Sequence, residues 1–192
     1  MNAAEPVGTE LGTRHRPAQT RIIAAAVGLF AQHGVAGTSL QMIADALGVT
    51  KAAVYHQFST KDEIVLAAVE ADMARLEGIL DAAEAEAGRP EAIDVLLTRL
   101  VDLAVDHRAM VPLLHGDPVA TRLLAEHERF GRLMERLQDL LDGGSADGRV
   151  PAAMLSAAIS GAVLHPLVAE VDDETLRTDL LDLARRFLGL ST

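Results

Sequence analysis

Apolar residues along this chain repeat with the period of an α-helix. Within residues 21–33, apolar side chains recur at i, i+3, i+4 and i+7, at Ile23, Ala26, Val27 and Phe30. Gly34 follows them as a C-terminal stop signal. Ala, Leu, Glu and Arg dominate the chain, and no run of alternating β-branched residues indicates a strand. The pattern predicts an all-α protein whose first helix covers residues 21–33.

Capping signals predict two short helices after the first. Thr38 with Gln41 fits a capping box for a second helix, which ends at Gly48. Thr50 can cap a third helix that reaches Phe58. Two short helices that are joined by a tight glycine turn and packed on a preceding helix form a helix-turn-helix. A helical hairpin without any DNA contact has the same spacing, so spacing alone leaves both interpretations open.

The predicted third helix has an inward and an outward face. Ala44 is small where the helices cross, and Gly48 can adopt the left-handed conformation that the turn requires. The side chains expected in the core are Val49, Val54 and Phe58, packed against Ile23, Phe30, Ile43 and Leu47. The side chains left facing outward are Lys51, Ala52, Tyr55 and His56.

The rest of the chain is predicted to be helical as well. Thr60 with Glu63 forms a second capping box, which opens a long helix that reaches Ala87 before the sequence "GRP" breaks it. The remaining periodic segments predict helices at residues 91–108, 118–142, 150–171 and 173–189, a helical turn near 110–115, and a Gly/Ser-rich loop at 143–148.

Composition excludes several kinds of protein. The chain has no cysteine, which excludes disulfides, thiolate metal sites and cysteine nucleophiles. It has neither the apolar core of a signal peptide nor a run of about 18 uncharged apolar residues. We therefore expect a cytoplasmic protein that has no membrane contact. Residues 1–15 are expected to be a disordered tail.

Charge is distributed unevenly along the chain. The net charge is −11, yet residues 14–63 carry five basic and three acidic residues. Both lysines of the chain, Lys51 and Lys61, lie in this segment, each directly after a threonine that can cap a helix. A cation at a helix start opposes the helix dipole at a cost of about 0.3–1 kcal/mol, and a bound phosphate reverses that sign. The pattern therefore predicts that both lysines contact a DNA backbone.

These residues resemble a known family. The segments "IIAAAVGLFAQHG", "TSLQMIADALGVTKAAVYHQF" and "STKDEI" are similar to the DNA-binding domain of TetR family transcriptional regulators. The resemblance implies a DNA-binding domain at residues 16–66, with its helix-turn-helix at 39–58, and a ligand-binding and dimerisation domain at 67–192. It further implies a homodimeric repressor that leaves a palindromic operator when a small molecule binds.

The resemblance also implies which residues face DNA. By the family's motif these are Thr38, Gln41, Lys51, Tyr55, His56 and Lys61. Thr50, whose cap hydroxyl adjoins Lys51, and Ala52 on the outward face complete the candidate DNA-binding set. Ala52 stands where the family often has Gly, and Gln57 where an aromatic residue or His precedes the Phe, so the bases that are read differ from the common pattern.

The last two predicted helices are candidates for a dimer interface. Ala153, Ala157 and Gly161 form a face of small residues that allows another helix to approach closely. Leu176, Leu180, Leu183 and Phe187 form an apolar stripe on the following helix. Either face could be ordinary core. A two-fold operator requires a two-fold protein, so we predict a four-helix seam between two copies.

A ligand pocket is expected where polar residues stand between apolar ones on the middle helices. The candidates are Arg99, Leu103, Asp106, His107, Met110, Leu114, His115, Leu123, His127, Phe130, Met134 and His165. Each polar residue taken singly could equally be a satisfied surface residue. The few aromatic side chains favour an aliphatic or weakly polar effector. The histidines lack metal-ligand spacing, so no metal and no cofactor are predicted.

Two other functions fit a helical chain of this size. One is a small ligand-binding enzyme whose helix-turn-helix is incidental, and the other is a protein-interaction module. The sequence contains no recognisable nucleophile and base pair, phosphate-binding loop or metal signature, so we do not expect an enzyme. A protein-binding module would not need cations at two helix starts.

Overall fold

The computed structural model describes residues 15–142 and 149–190, and within these ranges the chain forms helices and turns without a strand. The helices are α1 (Pro17–Gly37), α2 (Leu40–Leu47), α3 (Lys51–Gln57), α4 (Lys61–Glu84), α5 (Arg89–Asp106), α6 (Pro118–Ala125), α7 (Glu128–Asp142), α8 (Arg149–Leu164) and α9 (Asp173–Phe187). Short helical turns cover Arg108–Met110, Pro112–Gly116 and Pro166–Val168. The all-α prediction is confirmed. The predicted loop at 143–148 and residues 1–14 of the predicted tail lie outside the described residues.

The first helix is longer than its apolar repeat indicated, and it bends where the sequence predicted a stop. Pro17 begins it, as proline is well suited to a first helical position. Gly34 has a φ of +70°, which breaks the regular helix before a last turn ends at Gly37. Ile22, Ala26 and Phe30 form its buried face, while Ile23 is only partly buried.

The helix-turn-helix forms with one change of cap. Ser39 and not Thr38 caps α2, because its side chain accepts a hydrogen bond of 3.1 Å from the N–H of Met42. Thr50 caps α3 as predicted and accepts from the N–H of Ala53 at 3.2 Å. Gly48, with a φ of +65°, makes the tight turn between α2 and α3 in the left-handed conformation.

A single long helix connects the helix-turn-helix to the rest of the molecule. Thr60 caps α4 through the N–H of Glu63, at 3.1 Å. The helix ends at Glu84, slightly before the predicted Ala87, and it continues without a break across the predicted domain boundary at 66/67. That boundary stays a prediction, since the helix belongs to both sides of it.

Two other predicted helices are shorter than the periodicity suggested. The segment 118–142 divides into α6 and α7 at Glu126 and His127. The segment 150–171 ends its helix at Leu164, because Pro166 follows and the residue before a proline is restricted to extended conformations. His165 accordingly has a φ of −72° and a ψ of 135°.

The buried apolar residues form two clusters. The first lies among α1–α4, α6 and α7, with Leu96 of α5 and the turns between α5 and α6, and the second lies among α5, α8 and α9. Arg129 on α7 forms ion pairs with Glu70 and Glu77 on α4, and these pairs connect the two helices. Hydrogen bonds to these glutamates raise the pKa of Arg129. None of the helices in the described ranges has the length and apolar composition needed to cross a membrane.

Candidate functional site

The outward face of α3 carries a cation, a phenol and an imidazole. Lys51, Tyr55 and His56 are exposed, as is Ala52 beside them. The Lys51 ammonium lies 5.4 Å from the centroid of the Tyr55 ring, a cation–π contact between the first and fifth residues of the helix. The buried side chain of Val54 fixes the opposite face. An exposed face of this kind can enter a DNA groove, as the sequence predicted.

Two residues near this face differ from their predicted surroundings. Val49 is predicted in the core, yet it is 38% exposed, because it follows the left-handed Gly48 and lies at the tip of the turn. Gln41 is exposed, but it does not form a capping box. Its side-chain amide instead donates a hydrogen bond to Asp45 at 2.7 Å.

Thr38 does not face outward, so its DNA-facing assignment is wrong. The residue is only 2% exposed, and its hydroxyl donates to the carbonyl of Gly34 at 2.8 Å. This bond satisfies a carbonyl at the bend of α1 that the helix itself leaves without a partner. The physical reason for the correction is that the cap position belongs to the next residue, Ser39, which leaves Thr38 packed against α1.

The Lys61 ammonium is bound to the end of α1. It donates to the carbonyl of Val35 and, at 2.8 Å, to the carbonyl of Thr38, and the residue is only partly exposed. A cation at a helix C-terminus interacts favourably with the dipole and with the carbonyls that lack helical partners. The sequence interpretation considered only the helix that Lys61 begins, and so missed the helix end that it caps.

Asp117 was not predicted as a site residue, and it joins two distant parts of the chain. Its Oδ1 accepts from the N–H groups of Val119 and Ala120, at 2.8 and 3.0 Å, and thereby caps α6. Its Oδ2 accepts from the N–H of Val35 at 2.7 Å. The Asp-Pro pair that opens α6 is a recognisable cap signal in sequence. Nothing local indicates the second contact, which spans 82 residues.

A cavity of about 180 Å³ lies between the two apolar clusters. Its walls come from α4, α5, α7, α8 and the helical turns between α5 and α6. Seven of the predicted ligand residues line it: Leu103, His107, Met110, Leu114, His115, Phe130 and Met134. The structure therefore brings together residues that are scattered along the sequence.

The other predicted ligand residues do not line the cavity. Arg99 is exposed, and Asp106 is exposed and forms an ion pair with Arg177. Leu123 packs against the first apolar cluster, and His127 lies in the break between α6 and α7. His165 caps the turn that follows α8, since its Nδ1 accepts from the N–H of Leu167 at 3.2 Å. Helical periodicity could not distinguish these positions from the cavity wall, because all of them adjoin apolar residues.

Two buried polar residues of the wall are absent from the predicted set. Asp72 on α4 is 7% exposed, and its Oδ1 lies 2.8 Å from Nη1 of Arg75 and 3.4 Å from Nδ1 of His107. Ser160 on α8 is 8% exposed. The sequence interpretation placed the pocket on the middle helices, whereas α4 and α8 contribute these two residues. The available signal was an aspartate three residues after Val69 and four before Leu76, which places it on the apolar face of α4.

The cavity affects the protonation of one histidine. His115 lines it from the turn before α6, although much of the residue remains open to solvent. Desolvation of the ring lowers the pKa of His115, so the neutral imidazole is favoured. Among the described residues, no group of three or more His, Asp or Glu side chains could hold a metal ion.

The outer faces of α8 and α9 expose large apolar side chains. Met154 is 55% exposed, Leu183 is 56% exposed and Phe187 is 48% exposed. Ala157 and Gly161, predicted for the dimer seam, are exposed on the same helix as Met154. Two other predicted seam residues, Leu176 and Leu180, are instead buried in the second cluster and are inaccessible to a partner. The apolar stripe of α9 therefore has two parts. Leu176 and Leu180 belong to the core, whereas Leu183 and Phe187 are exposed.

Comparisons with known proteins agree with this arrangement. Residues 22–68 match bacterial regulatory proteins of the tetR family. The chain is 28% identical over 155 residues to the HTH-type transcriptional repressor AcnR of Corynebacterium diphtheriae, and the alignment covers 77% of this chain and 75% of that protein. Two solved structures have a similar fold. Ketosteroid transcriptional regulator KstR2 of Mycobacterium tuberculosis has a TM-score of 0.72 at 18% identity, over 94% of this chain and 97% of that one. AibR, in complex with isovaleryl coenzyme A and operator DNA, has a TM-score of 0.66 at 19% identity, over 86% of this chain and 97% of that one.

The match at residues 22–68 covers most of α1, all of α2 and α3, and the start of α4. These elements build and support the exposed face of Lys51, Tyr55 and His56. The similarity to AcnR extends over most of this chain, and the two solved structures share the helical fold of this chain. The resemblance to TetR family transcriptional regulators that the sequence indicated is thereby confirmed, by the family match at residues 22–68 and by the likeness to a repressor over most of the chain.

Proposed function

We propose that this protein is a homodimeric repressor that binds a palindromic operator and releases it when a small molecule enters the cavity. The observation that carries the proposal is that one helix, α4, serves both regions. It begins at Lys61, against the end of α1, and its residues Val69, Asp72 and Met73 form a wall of the cavity. At 1.5 Å per residue, Lys61 and Met73 are about 18 Å apart along one rigid helix.

The relatives support both halves of the proposal. AcnR is named a transcriptional repressor, and AibR was solved with both an operator and a coenzyme A thioester. In this chain the outward face of α3 would read bases with Tyr55 and His56, while Lys51 and Thr50 at the helix start would hold a phosphate. A ligand that fits only one position of α4 would change the distance between the two recognition helices of a dimer, and so the operator affinity.

An electrophoretic shift with the DNA upstream of the protein's own gene tests this function. We expect a saturable complex whose size corresponds to a dimer, with symmetric protection of two half-sites in a footprint. Tyr55→Ala should weaken the complex, because Tyr55 is 49% exposed on the reading face. Leu167→Ala is the matched control, since this residue is 85% exposed outside the helix-turn-helix. A monomer-sized complex at saturation, or equal effects of the two substitutions, would contradict the proposal.

A further inference from the structure

The described wall of the cavity contains one acidic residue, Asp72. Apart from Asp72, the polar residues that line it are two histidines and two serines, and the remainder are apolar. No lysine or arginine belongs to the described lining. Of the histidines, His115 is held toward its neutral form because its ring is desolvated. An anionic ligand would therefore meet no permanent cation in this wall, and it would be repelled by a buried carboxylate.

The carboxylate of Asp72 has unused capacity to accept hydrogen bonds. Arg75 and His107 both approach the same oxygen, Oδ1, at 2.8 and 3.4 Å. Among the described residues, no donor forms a hydrogen bond with Oδ2. An ionised carboxylate can accept about four hydrogen bonds, and a buried one is stabilised by each donor that reaches it. Arg75 does not line the cavity and its side chain is 47% exposed, so it pairs with Asp72 from outside the cavity.

The apolar part of the cavity wall can accommodate the alkyl chain of a ligand. Phe130 is the one aromatic hydrocarbon ring in the described lining, so the wall offers no pair of rings between which a flat cation could stack. The cavity, with a volume of about 180 Å³, is slightly larger than the cavity of about 150 Å³ that holds benzene in an engineered protein. A short alkyl chain is of suitable size, and long side chains such as Met73 and Met134 can adjust to it.

We propose that the cavity selects a small aliphatic amine, whose ammonium group donates hydrogen bonds to Oδ2 of Asp72 while its alkyl chain lies among the methionines and leucines. This inference rests on the proposed function, because it names the effector class of that same cavity. An alcohol of the same length can donate one hydrogen bond without a charge and binds less tightly. A carboxylate of the same length binds least tightly, since its charge repeats that of Asp72.

Calorimetric titration of the full-length protein with octylamine, octan-1-ol and octanoate at pH 7 tests the inference. These probes share one chain length and differ only in the head group. We expect octylamine to bind at least about tenfold more tightly than octanoate, with octan-1-ol between them. In Asp72→Asn the preference for the amine should fall to about the level of the alcohol. Asp106→Asn is the matched control, because it removes an exposed carboxylate on α5 that does not line the cavity, and it should leave the ranking unchanged.

Several results would overturn the inference. They are tighter binding of octanoate than of octylamine, no binding of any probe, or an amine preference that survives in Asp72→Asn. If Asp72→Asn does not fold, the ranking of the three probes on the unaltered protein still decides the question. Operator release is measured separately, by adding octylamine to the DNA complex. If the amine binds with the expected preference but the complex persists, the ligand class stands and the proposed release function fails.

Discussion

The carboxylate of Asp117 accepts a hydrogen bond of 2.7 Å from the backbone N–H of Val35. Asp117 directly follows the turns whose residues Met110, Leu114 and His115 line the cavity, and Val35 lies in the last turn of α1. The carbonyl of Val35 accepts from the Lys61 ammonium. The cavity wall is therefore linked to the helix-turn-helix by a path of hydrogen bonds as well as by α4.

The first prediction concerns this link. Asp117→Asn should lower the free energy of unfolding by about 1–3 kcal/mol, because an amide cannot accept at both of its positions and one buried N–H is left without a partner. It should also weaken the response of operator binding to an effector more than it weakens operator binding itself. Denaturant unfolding and shift assays with and without effector measure these two effects.

Asp172→Asn provides a matched control for that experiment. Asp172 also caps a helix, accepting from the N–H of Thr175 at 3.0 Å, but it is exposed and makes no bond to α1. Hydrogen bonds from Thr175 lower the pKa of Asp172, as is usual for a cap carboxylate. If both substitutions leave the effector response intact, the contact between Asp117 and Val35 is only structural.

The second prediction separates the two lysines by stability. Lys61→Ala should lower the free energy of unfolding by about 1–3 kcal/mol, since it takes a charged donor away from the carbonyls of both Val35 and Thr38. Lys51→Ala should change it by less than about 1 kcal/mol, because within residues 15–142 and 149–190 the exposed ammonium contacts the Tyr55 ring and forms no hydrogen bond. Thermal or denaturant unfolding without DNA compares them. Equal stability of the two variants would mean that the Lys61 hydrogen bonds contribute little in solution.

The third prediction assigns the phosphate interaction to Lys51. Lys51→Ala should reduce affinity for every DNA sequence by a similar factor. It should also flatten the slope of log affinity against log salt by about 0.9 for each phosphate that is no longer neutralised. Lys61→Ala should leave that slope nearly unchanged, because its ammonium is already bound to α1. A titration series at several salt concentrations measures both slopes. A flatter slope for Lys61→Ala alone would reverse the assignment.

The parts of this protein that were predictable from sequence are those that local rules determine. The helical period, the left-handed Gly48 and the Thr50 cap each depend on residues within about one helical turn, and the structure confirms them. The family resemblance came from the same short segments. Residues on the outward face of α3 were identified because their neighbours Val54 and Phe58 are buried.

The roles that sequence did not reveal depend on contacts between distant residues. Lys61 reaches back 26 residues to Val35, and Asp117 reaches back 82. Asp72 meets His107 only because α4 and the end of α5 pack side by side. Leu176 and Leu183 belong to the same apolar stripe in sequence, yet the packing of α9 on α5 and α8 buries one and exposes the other. Periodicity gives the face of a helix but not the neighbour that covers it.

The last prediction uses that difference on α9 to test the dimer interface. Leu183→Glu should shift the protein from dimer to monomer in size-exclusion chromatography with light scattering, because a side chain that is 56% exposed in one copy would be buried between two. The isolated monomer should keep its helical content. Leu176→Ala should instead lower the free energy of unfolding by about 2–5 kcal/mol while the remaining folded protein stays dimeric, since this residue is 3% exposed within one copy. The monomeric variant should also lose most operator affinity, as one recognition helix reads only one half-site. A Leu183→Glu protein that remains dimeric would place the interface on another surface.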